Sequence, residues 1–516
     1  MIIINSGAYL PPELQAEFGP IPSCFIPLAN KKLFEYQVSR LRDVFLDDKI
    51  IISLPESYTL SSHESMLMQN FGVTTIATRD EFTLGEALLF ILNTNIDDSY
   101  VRILHGDTLF LSFDKDLNIV SVSKTYDNYA WEKEIFPSSE EEHIWTGYFA
   151  FSSSRDLMKC LALSRGDFVR AVRQYMSMHS VEARVSVGWM DLGHVNTYFR
   201  ARTNRTSERD FNSLQINDNV VTKKSSLPTK IIAESTWFET IPTHLKKYTP
   251  QLISKGIEGG VAFYKLEYLP LSPLNELFVH GRNPLFFWKY VFEKIKLFLC
   301  DARSGIKETF DIHNTAIDLY INKTKDRLAL YNHAFPIEMD VPLCYAGKQL
   351  PSLTSICDDC FEAVFSMPHF GCILHGDMCL SNILIDLRAD NIKLIDPRGH
   401  DNRGTITPYG DQKYDLAKLM HSFIGLYDFI ISGYFQLSSN SNYEFDITFS
   451  LDERIEAIQD GFLKFSFIPG FDTDKVMPLV ILLFISMIPL HDDSMPRKKA
   501  IFANALRLYA DYRGYL

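Results

Sequence analysis

Basic residues are outnumbered: 51 Lys and Arg stand against 64 Asp and Glu, a formal charge of −13 over 516 residues. An acidic surface repels phosphate backbones, which argues against a nucleic-acid partner; a local basic site with bound metal can still take a small anion. Cysteine is sparse and unpatterned. Eight are scattered, and "CDDC" at Cys357–Cys360 is a lone CxxC without a second pair at zinc spacing. Reduced thiols of a cytoplasmic protein are the expectation. The opening "MIIINSGAYLPPEL" lacks the basic n-region of a signal peptide. No long apolar run is present either. "VMPLVILLFISMIPL" at Val476–Leu490 carries two prolines and falls short of the roughly 20 residues of a membrane span, so a buried helix is predicted and no membrane span.

What is present suffices for two or three cores, with 46% hydrophobic and 22% charged residues. The pentapeptide "ILHGD" occurs twice, at Ile103–Asp107 and Ile373–Asp377. Each copy predicts a short apolar strand delivering an Asp to a sheet's end, and nothing around the two copies aligns as a repeat. The first 200 or so residues alternate β-like runs ("MIII", "KIIISL", "GVTTIAT", "YVRILHGD") with helical stretches such as "KKLFEYQVSRLRDVF". That rhythm predicts a doubly wound α/β domain with a mostly parallel sheet. The polar "RARTNRTSERD" (Arg200–Asp210) breaks it, giving domains 1–204 and 205–516. In the second domain, strands ("NVVTKKS", "GVAFYKLEYL") flank the helical "PTKIIAESTWFETI", predicting a small lobe over about 205–280. From about 281 to 516 the pattern is mainly helical, apart from the second "ILHGD" and the strands "NILIDL" and "IKLID".

Around the second copy the text is "LHGDMCLSNILIDLRADNIKLIDPRG". Phosphoryl transfer needs one carboxylate for the acceptor hydroxyl's proton, plus an amide and a second carboxylate to hold Mg²⁺ on the phosphates. Asp377, Asn382 and Asp396 supply those groups at workable spacing. "HGDMCLSNIL…IDPRG…GDQKYDLAKL" resembles the aminoglycoside phosphotransferase/choline kinase family. The resemblance implies a two-lobed protein-kinase-like α+β fold and MgATP-dependent phosphorylation of small-molecule hydroxyls. It implies Asp377 as catalytic base, Asn382 and Asp396 as Mg²⁺ ligands, His375 as a loop buttress and Asp415 as a brace. "VVTK" resembles the strand that carries the phosphate-binding Lys. Alternation favours Lys223 over Lys224, with Glu234 of "KIIAESTWF" as partner. "YKLEYLPLSPL" resembles the hinge, where the backbone near Glu267 and Tyr268 would read adenine. No GxGxxG precedes Lys223; "RDFNSLQIN" stands there.

The first copy has different flanks. "FIPLANKKLFEYQVSRL", "TLGEAL", "LHGDTLF", "IWTGYFAFSS" and "WMDLGHVNTYFRAR" resemble, in family order over roughly residues 1–200, the sugar-1-phosphate nucleotidyltransferases. The resemblance implies a GT-A-like domain in which Asp107 and Asp191 clamp Mg²⁺ between reacting phosphates, while Gly7 and Gly85 contact the nucleotide. The Gly-rich opening departs from the family pattern. "NSGAYLPPELQAEFGPIPSC" keeps Gly7 but lacks the Arg, and Ser23 stands where a Lys would be; Lys31 and Lys32 are the nearby candidate substitutes.

Together the two resemblances imply a bifunctional enzyme. A sugar, polyol or amino alcohol is phosphorylated by MgATP, and a second nucleoside triphosphate (CTP, UTP, GTP or dTTP) nucleotidylates the product for a bacterial capsule or other cell-surface polysaccharide. Partners are then small molecules, and a homo-oligomer is compatible with this. Two alternatives stand beside it: a kinase with an inactive nucleotide- or sugar-binding N-terminal domain, and a non-catalytic assembly module. A choline-type ammonium would want an aromatic box. Trp237 and Trp288 are candidates, though aromatics at 13% of the chain read first as core.

Overall fold

The computed structural model describes residues 1–95, 99–135, 142–203, 212–217, 219–304, 311–330, 335, 337–491 and 494–515. The chain forms two compact units, Met1–Arg205 with His280–Asn283, and Thr206–Val279 with Pro284–Leu516. Most of the predicted junction, Arg200–Asp210, lies outside the described residues, as does the start of "RDFNSLQIN".

The first unit is built on an eight-stranded sheet. Ile2–Asn5 and Ile50–Pro55 are buried along their whole length, because helices cover both faces and leave no polar side to alternate with. Ile2–Asn5 pairs in parallel with Ile50–Pro55 and with Val101–His105, so Ile3 stands between Ile51 and Ile103. Leu88, Phe149 and Tyr175 complete this core with them. The sheet is mostly parallel, as predicted: of its eight strands Glu142–Phe151 alone runs against the others, antiparallel to Val101–His105, Ile119–Ser123 and Lys133–Ile135. Two short strands, Thr108–Leu109 and Met190–Asp191, pair with Asp191 opposite Thr108. That pairing brings the second predicted metal carboxylate to the sheet end where Asp107 emerges, the usual ligand side of such sheets.

The second unit begins with a four-stranded antiparallel sheet in the order Asn212–Asn217, Val220–Ser225, Val261–Glu267, Leu252–Glu258. The helix Pro228–Thr240 packs beside it and starts with Pro at its first turn, where a missing N–H costs nothing. The rest is mainly helical. Ile383–Asp386 and Asn391–Leu394 form a hairpin that holds the second "ILHGD" region, and Gly371–Ile373 pairs with Tyr409–Asp411. The prediction missed a further four-stranded sheet, Lys348–Ser352, Pro342–Tyr345, Glu444–Thr448 and Gln436–Ser441. Its two hairpins are about 100 residues apart and join through a parallel pairing that no local pattern announces.

The apolar run at Val476–Leu490 is a core segment. Every residue of the helix Met477–Met487 is buried. Among the described residues, Thr473–Leu490 is the one helical stretch long and apolar enough to cross a membrane by composition. Trp237 and Trp288 are likewise core side chains, 1% and 0% exposed. All eight cysteines are free thiols, with Cys357 and Cys360 buried.

Candidate active sites

In the second unit, Ile373 ends its strand and the chain turns through Gly376, whose φ is +78°. That left-handed value suits glycine, and a Cβ there would come within 2.7 Å of the Arg398 Cβ. Buried Asp415 fastens the turn: its carboxylate accepts the backbone N–H groups of His375 (2.9 Å) and Gly376 (2.8 Å). His375 braces it from the other side. Nε2 lies 3.0 Å from the Ile395 carbonyl oxygen, and Nδ1 accepts the Asp377 N–H at 3.3 Å, an arrangement that suits a neutral ring protonated on Nε2. Burial pushes His375 down to about 4, consistent with that neutral form.

Asp377, Asn382 and Asp396 meet at this turn. Asn382 donates from Nδ2 to the Asp377 backbone oxygen (2.8 Å) and to Oδ2 (3.0 Å). The Ile395 N–H donates to the Asn382 carbonyl at 3.0 Å, which sets Asp396 one residue beyond. Asp396 holds a φ of +55°, an uncommon value for a side-chain-bearing residue and one that Asp tolerates better than most. Lys223 Nζ lies 2.8 Å from Glu234 Oε2 and 3.1 Å from Asp396 Oδ1, and Tyr264 donates its hydroxyl to Glu234 at 2.7 Å. Burial works against the Lys223 charge, but Asp396 and Glu234 raise it above the usual lysine range. Lys224, the competitor, points to an exposed pairing with Glu258 at 3.6 Å. The donor set suits Mg²⁺: an amide and a carboxylate offer hard oxygens, and this ion is commonly held by one or two carboxylates plus substrate phosphates. Among the described residues no three His, Cys, Asp or Glu groups converge as a protein-only metal cage.

At the predicted hinge, the Glu267 N–H is donated to the Gln251 carbonyl (3.0 Å) and the Tyr268 N–H to that of Asn219 (2.8 Å). Those two amides are occupied by the sheet, so neither is offered to a base.

Sequence reasoning missed Lys418, whose Nζ lies 2.9 Å from Asp377 Oδ1. Desolvation pulls the Asp377 carboxyl up, and the Lys418 ammonium overrides it, holding it well below the ordinary range. The signal was there in "YDLAKL": Lys418 follows Asp415 by three residues on the helix Lys413–Phe423, hence on the same face.

In the first unit Asp107 follows Val101–His105, and a different device holds its loop. Buried Gln37 donates from Nε2 to the carbonyls of His105 (3.2 Å), Gly106 (3.2 Å) and Thr108 (2.7 Å). Burial and the neighbouring Asp191 push Asp107 up to about 6. Gly193 lies so close that a Cβ would overlap the Asp107 carboxylate. Asp191 Oδ2 accepts from the Thr197 hydroxyl and lies 2.8 Å from His194 Nδ1. Tyr129 stacks on the His194 ring at 3.8 Å, and the Trp131 ring centre lies 5.3 Å from it. Two acids that repel one another, with oxygen donors, are a chemically suitable pair for Mg²⁺.

The structure gives the predicted nucleotide glycines packing contacts. Gly7 sits where a Cβ would overlap the Thr78 hydroxyl, and Gly85 where it would overlap the Gly166 carbonyl. "TLGE" is also a capping box, with Glu86 accepting the Thr83 N–H at 2.9 Å and Thr83 the Glu86 N–H at 3.3 Å. Of the two candidate replacement cations, Lys31 is exposed and Lys32 is buried in an ion pair with Glu64 at 2.9 Å.

The chain is a mixed α/β protein whose structural neighbours are nucleotidyltransferase-like and kinase-like. No protein-family model and no curated protein matches its sequence. Among solved structures, the N-terminal part is similar to the nucleoside-diphosphate-sugar pyrophosphorylase of Vibrio cholerae RC9 (14% identity, TM-score 0.31, covering 39% of this chain and 99% of that one). It is similar also to the inositol-1-phosphate CTP transferase of T. maritima (14% identity, TM-score 0.30, 38% and 90%). The larger C-terminal part is similar to a thermostable mutant of aminoglycoside phosphotransferase APH(4)-Ia, solved in a ternary complex with AMP-PNP and hygromycin B (9% identity, TM-score 0.38, 60% and 93%). At these identities the likeness is one of fold.

Proposed function

We propose that the protein is a bifunctional transferase. Its C-terminal unit moves the terminal phosphoryl group of ATP to a hydroxyl of a sugar, polyol or amino alcohol, and its N-terminal unit joins a nucleotide to the phosphorylated product. The observation that carries the reading is the meeting of Asp377, Asn382 and Asp396 beside a Lys223 already paired to Glu234.

Asp377 receives the acceptor proton, and its position is held by Asn382 from one side and by the His375 ring through the backbone. Lys223 shares its charge between Glu234 and Asp396, and nucleotide phosphates take Asp396's place as its partner. Asn382 and Asp396 would hold Mg²⁺, which when bound neutralises the charge on the transferring group. In the other unit Asp107 and Asp191 would hold a second Mg²⁺. A cytoplasmic setting, small-molecule partners and supply of activated sugars for a cell-surface polymer belong to the same reading. The free thiols and the pairing of the two folds support it.

The test is turnover of ATP by the full chain across a panel of hydroxyl compounds. Asp377→Asn is expected to lower phosphorylation by about 10²–10⁴-fold while MgATP binding persists, since the base is not a metal ligand. Near-native turnover by that variant would remove the assignment.

A second reading, a kinase with a catalytically silent N-terminal unit, is favoured by one observation. Lys32, a candidate for the missing phosphate cation, is committed to Glu64. Pyrophosphate release on mixing the phosphorylated product with CTP, UTP, GTP or dTTP separates the two readings.

A further inference from the structure

The surroundings of Asp377 are rich in positive charge that the protein itself does not neutralise. Lys323 is 2% exposed, and its Nζ donates to the Tyr414 hydroxyl at 2.6 Å while lying 4.4 Å from that ring's centre. Arg398, packed over Gly376, reaches the same hydroxyl at 3.5 Å and donates from Nε to the His400 carbonyl at 3.1 Å. Arg327 donates to the Ser486 carbonyl at 3.3 Å. Lys418 is the exception, being paired with Asp377. Among the described residues, then, the contacts of Lys323, Arg327 and Arg398 are with neutral oxygens.

Buried ammonium and guanidinium groups ordinarily find a carboxylate, because leaving water without one is costly. Two other acids nearby are committed inward, and Asp318 and Asp326 are engaged with Asn402. Asp415 is wholly buried against the His375 and Gly376 N–H groups, and Asp428 is buried with Ser422 as its partner. Burial, then Arg398, Arg327 and Lys418, push Lys323 well below its ordinary range, as expected where a negative charge is missing. The nucleotide phosphates have their own cation in Lys223, which stands with Glu234 and Asp396 rather than with this cluster.

We propose that the acceptor of the C-terminal unit is itself an anion, a hydroxyl compound carrying a carboxylate or phosphate that Arg398 receives beside Asp377, with Arg327 adding to the positive field. Lys323 gains its proton once the anion is in place. This rests on the kinase reading above and narrows it: an ammonium-bearing acceptor would meet a field of the wrong sign, and Trp237 and Trp288, both buried in the core, do not offset it.

The experiment uses the full chain loaded with AMP-PNP and Mg²⁺, with glucose, glucosamine, glucuronate and glucose 6-phosphate as a probe set that shares one sugar skeleton and varies in charge, in calorimetric titration. The anionic members are expected to bind on the order of 10–100-fold more tightly than glucose, with glucosamine weakest, and Arg398→Gln is expected to remove that advantage. Lys323→Met is the second variant, with a melting curve to verify folding. Equal binding across the set, or tighter binding of glucosamine, would overturn the proposal whether or not any compound is turned over. Where turnover is seen, KM for the anionic acceptor should rise in Arg398→Gln with KM for MgATP unchanged. A rise confined to MgATP would assign the cluster to the nucleotide and equally overturn the proposal. Selective anion binding without phosphorylation of any compound would instead count against the kinase reading alone.

Discussion

Lys418 and Asp377 form an ion pair at 2.9 Å, so the carboxylate assigned the proton already carries a counter-charge before any substrate binds. Replacing Lys418 by Met removes the cation that holds the Asp377 carboxyl down against desolvation. The acid limb of the kcat/KM profile is expected to move to higher pH by about one unit or more, since an adjacent cation typically lowers a carboxyl by 1–3 units. A pH–rate series on the variant and the parent chain checks it.

Asp107 gives the opposite sign in the N-terminal unit. Its folded value, about 6, lies above the ordinary 3.8, so between those pH values the folded chain keeps a proton that the unfolded chain releases. Without added metal, the Asp107 contribution to stability is expected to rise as pH falls from 7 toward 4, by on the order of 1 kcal/mol per pH unit at most, while the buried rings of His63 and His105 act in the opposite direction. Melting temperatures across that range for the parent chain and Asp107→Asn isolate it: the difference between the two proteins should change with pH in that sense.

The Lys32–Glu64 pair is structural, with both side chains buried. Burial alone would raise Glu64; Lys32 and Arg282 hold it below the ordinary carboxyl range instead. Its contribution is therefore complete above about pH 4.5 and is lost only as acid reaches the depressed folded value. Glu64→Gln strands Lys32, at a cost of about 3–5 kcal/mol at neutral pH. Chemical denaturation of the two proteins measures the difference.

Gly85→Ala tests a packing role against a nucleotide-contacting one. The added methyl meets the Gly166 carbonyl, a backbone atom that cannot swing aside. Overpacking of this kind costs about 1–3 kcal/mol. A fall in melting temperature without nucleotide is the expected result, and unchanged stability would return Gly85 to the list of ligand contacts.

Much of this was legible in the sequence because the signals were local. Buried strands such as "MIII" and "KIIISL" announced the first sheet, and Lys223 separated from Lys224 by alternation alone. What escaped depends on distant partners. The pentapeptide shows why: in one copy Gln37 donates to the loop's carbonyls, and in the other Asp415 accepts its N–H groups. His105 is packed among Phe149 and Phe168, whereas His375 is hydrogen-bonded on both ring nitrogens. Identical letters thus sit in contrasting surroundings, and neither anchor lies within 30 residues of the loop it holds. The sheet uniting Pro342–Tyr345 with Glu444–Thr448 was hidden by the same separation.

The left-handed backbone at Asp396 has a practical bearing on how the metal site is dissected. Alanine there would change two things at once, erasing a charge and placing a methyl-bearing residue in a conformation it resists. Asparagine tolerates that conformation nearly as well as aspartate and keeps the side chain's shape. Asp396→Asn is accordingly the substitution that isolates electrostatics from geometry, since its amide oxygen can still accept from Lys223 while the backbone keeps a tolerated conformation.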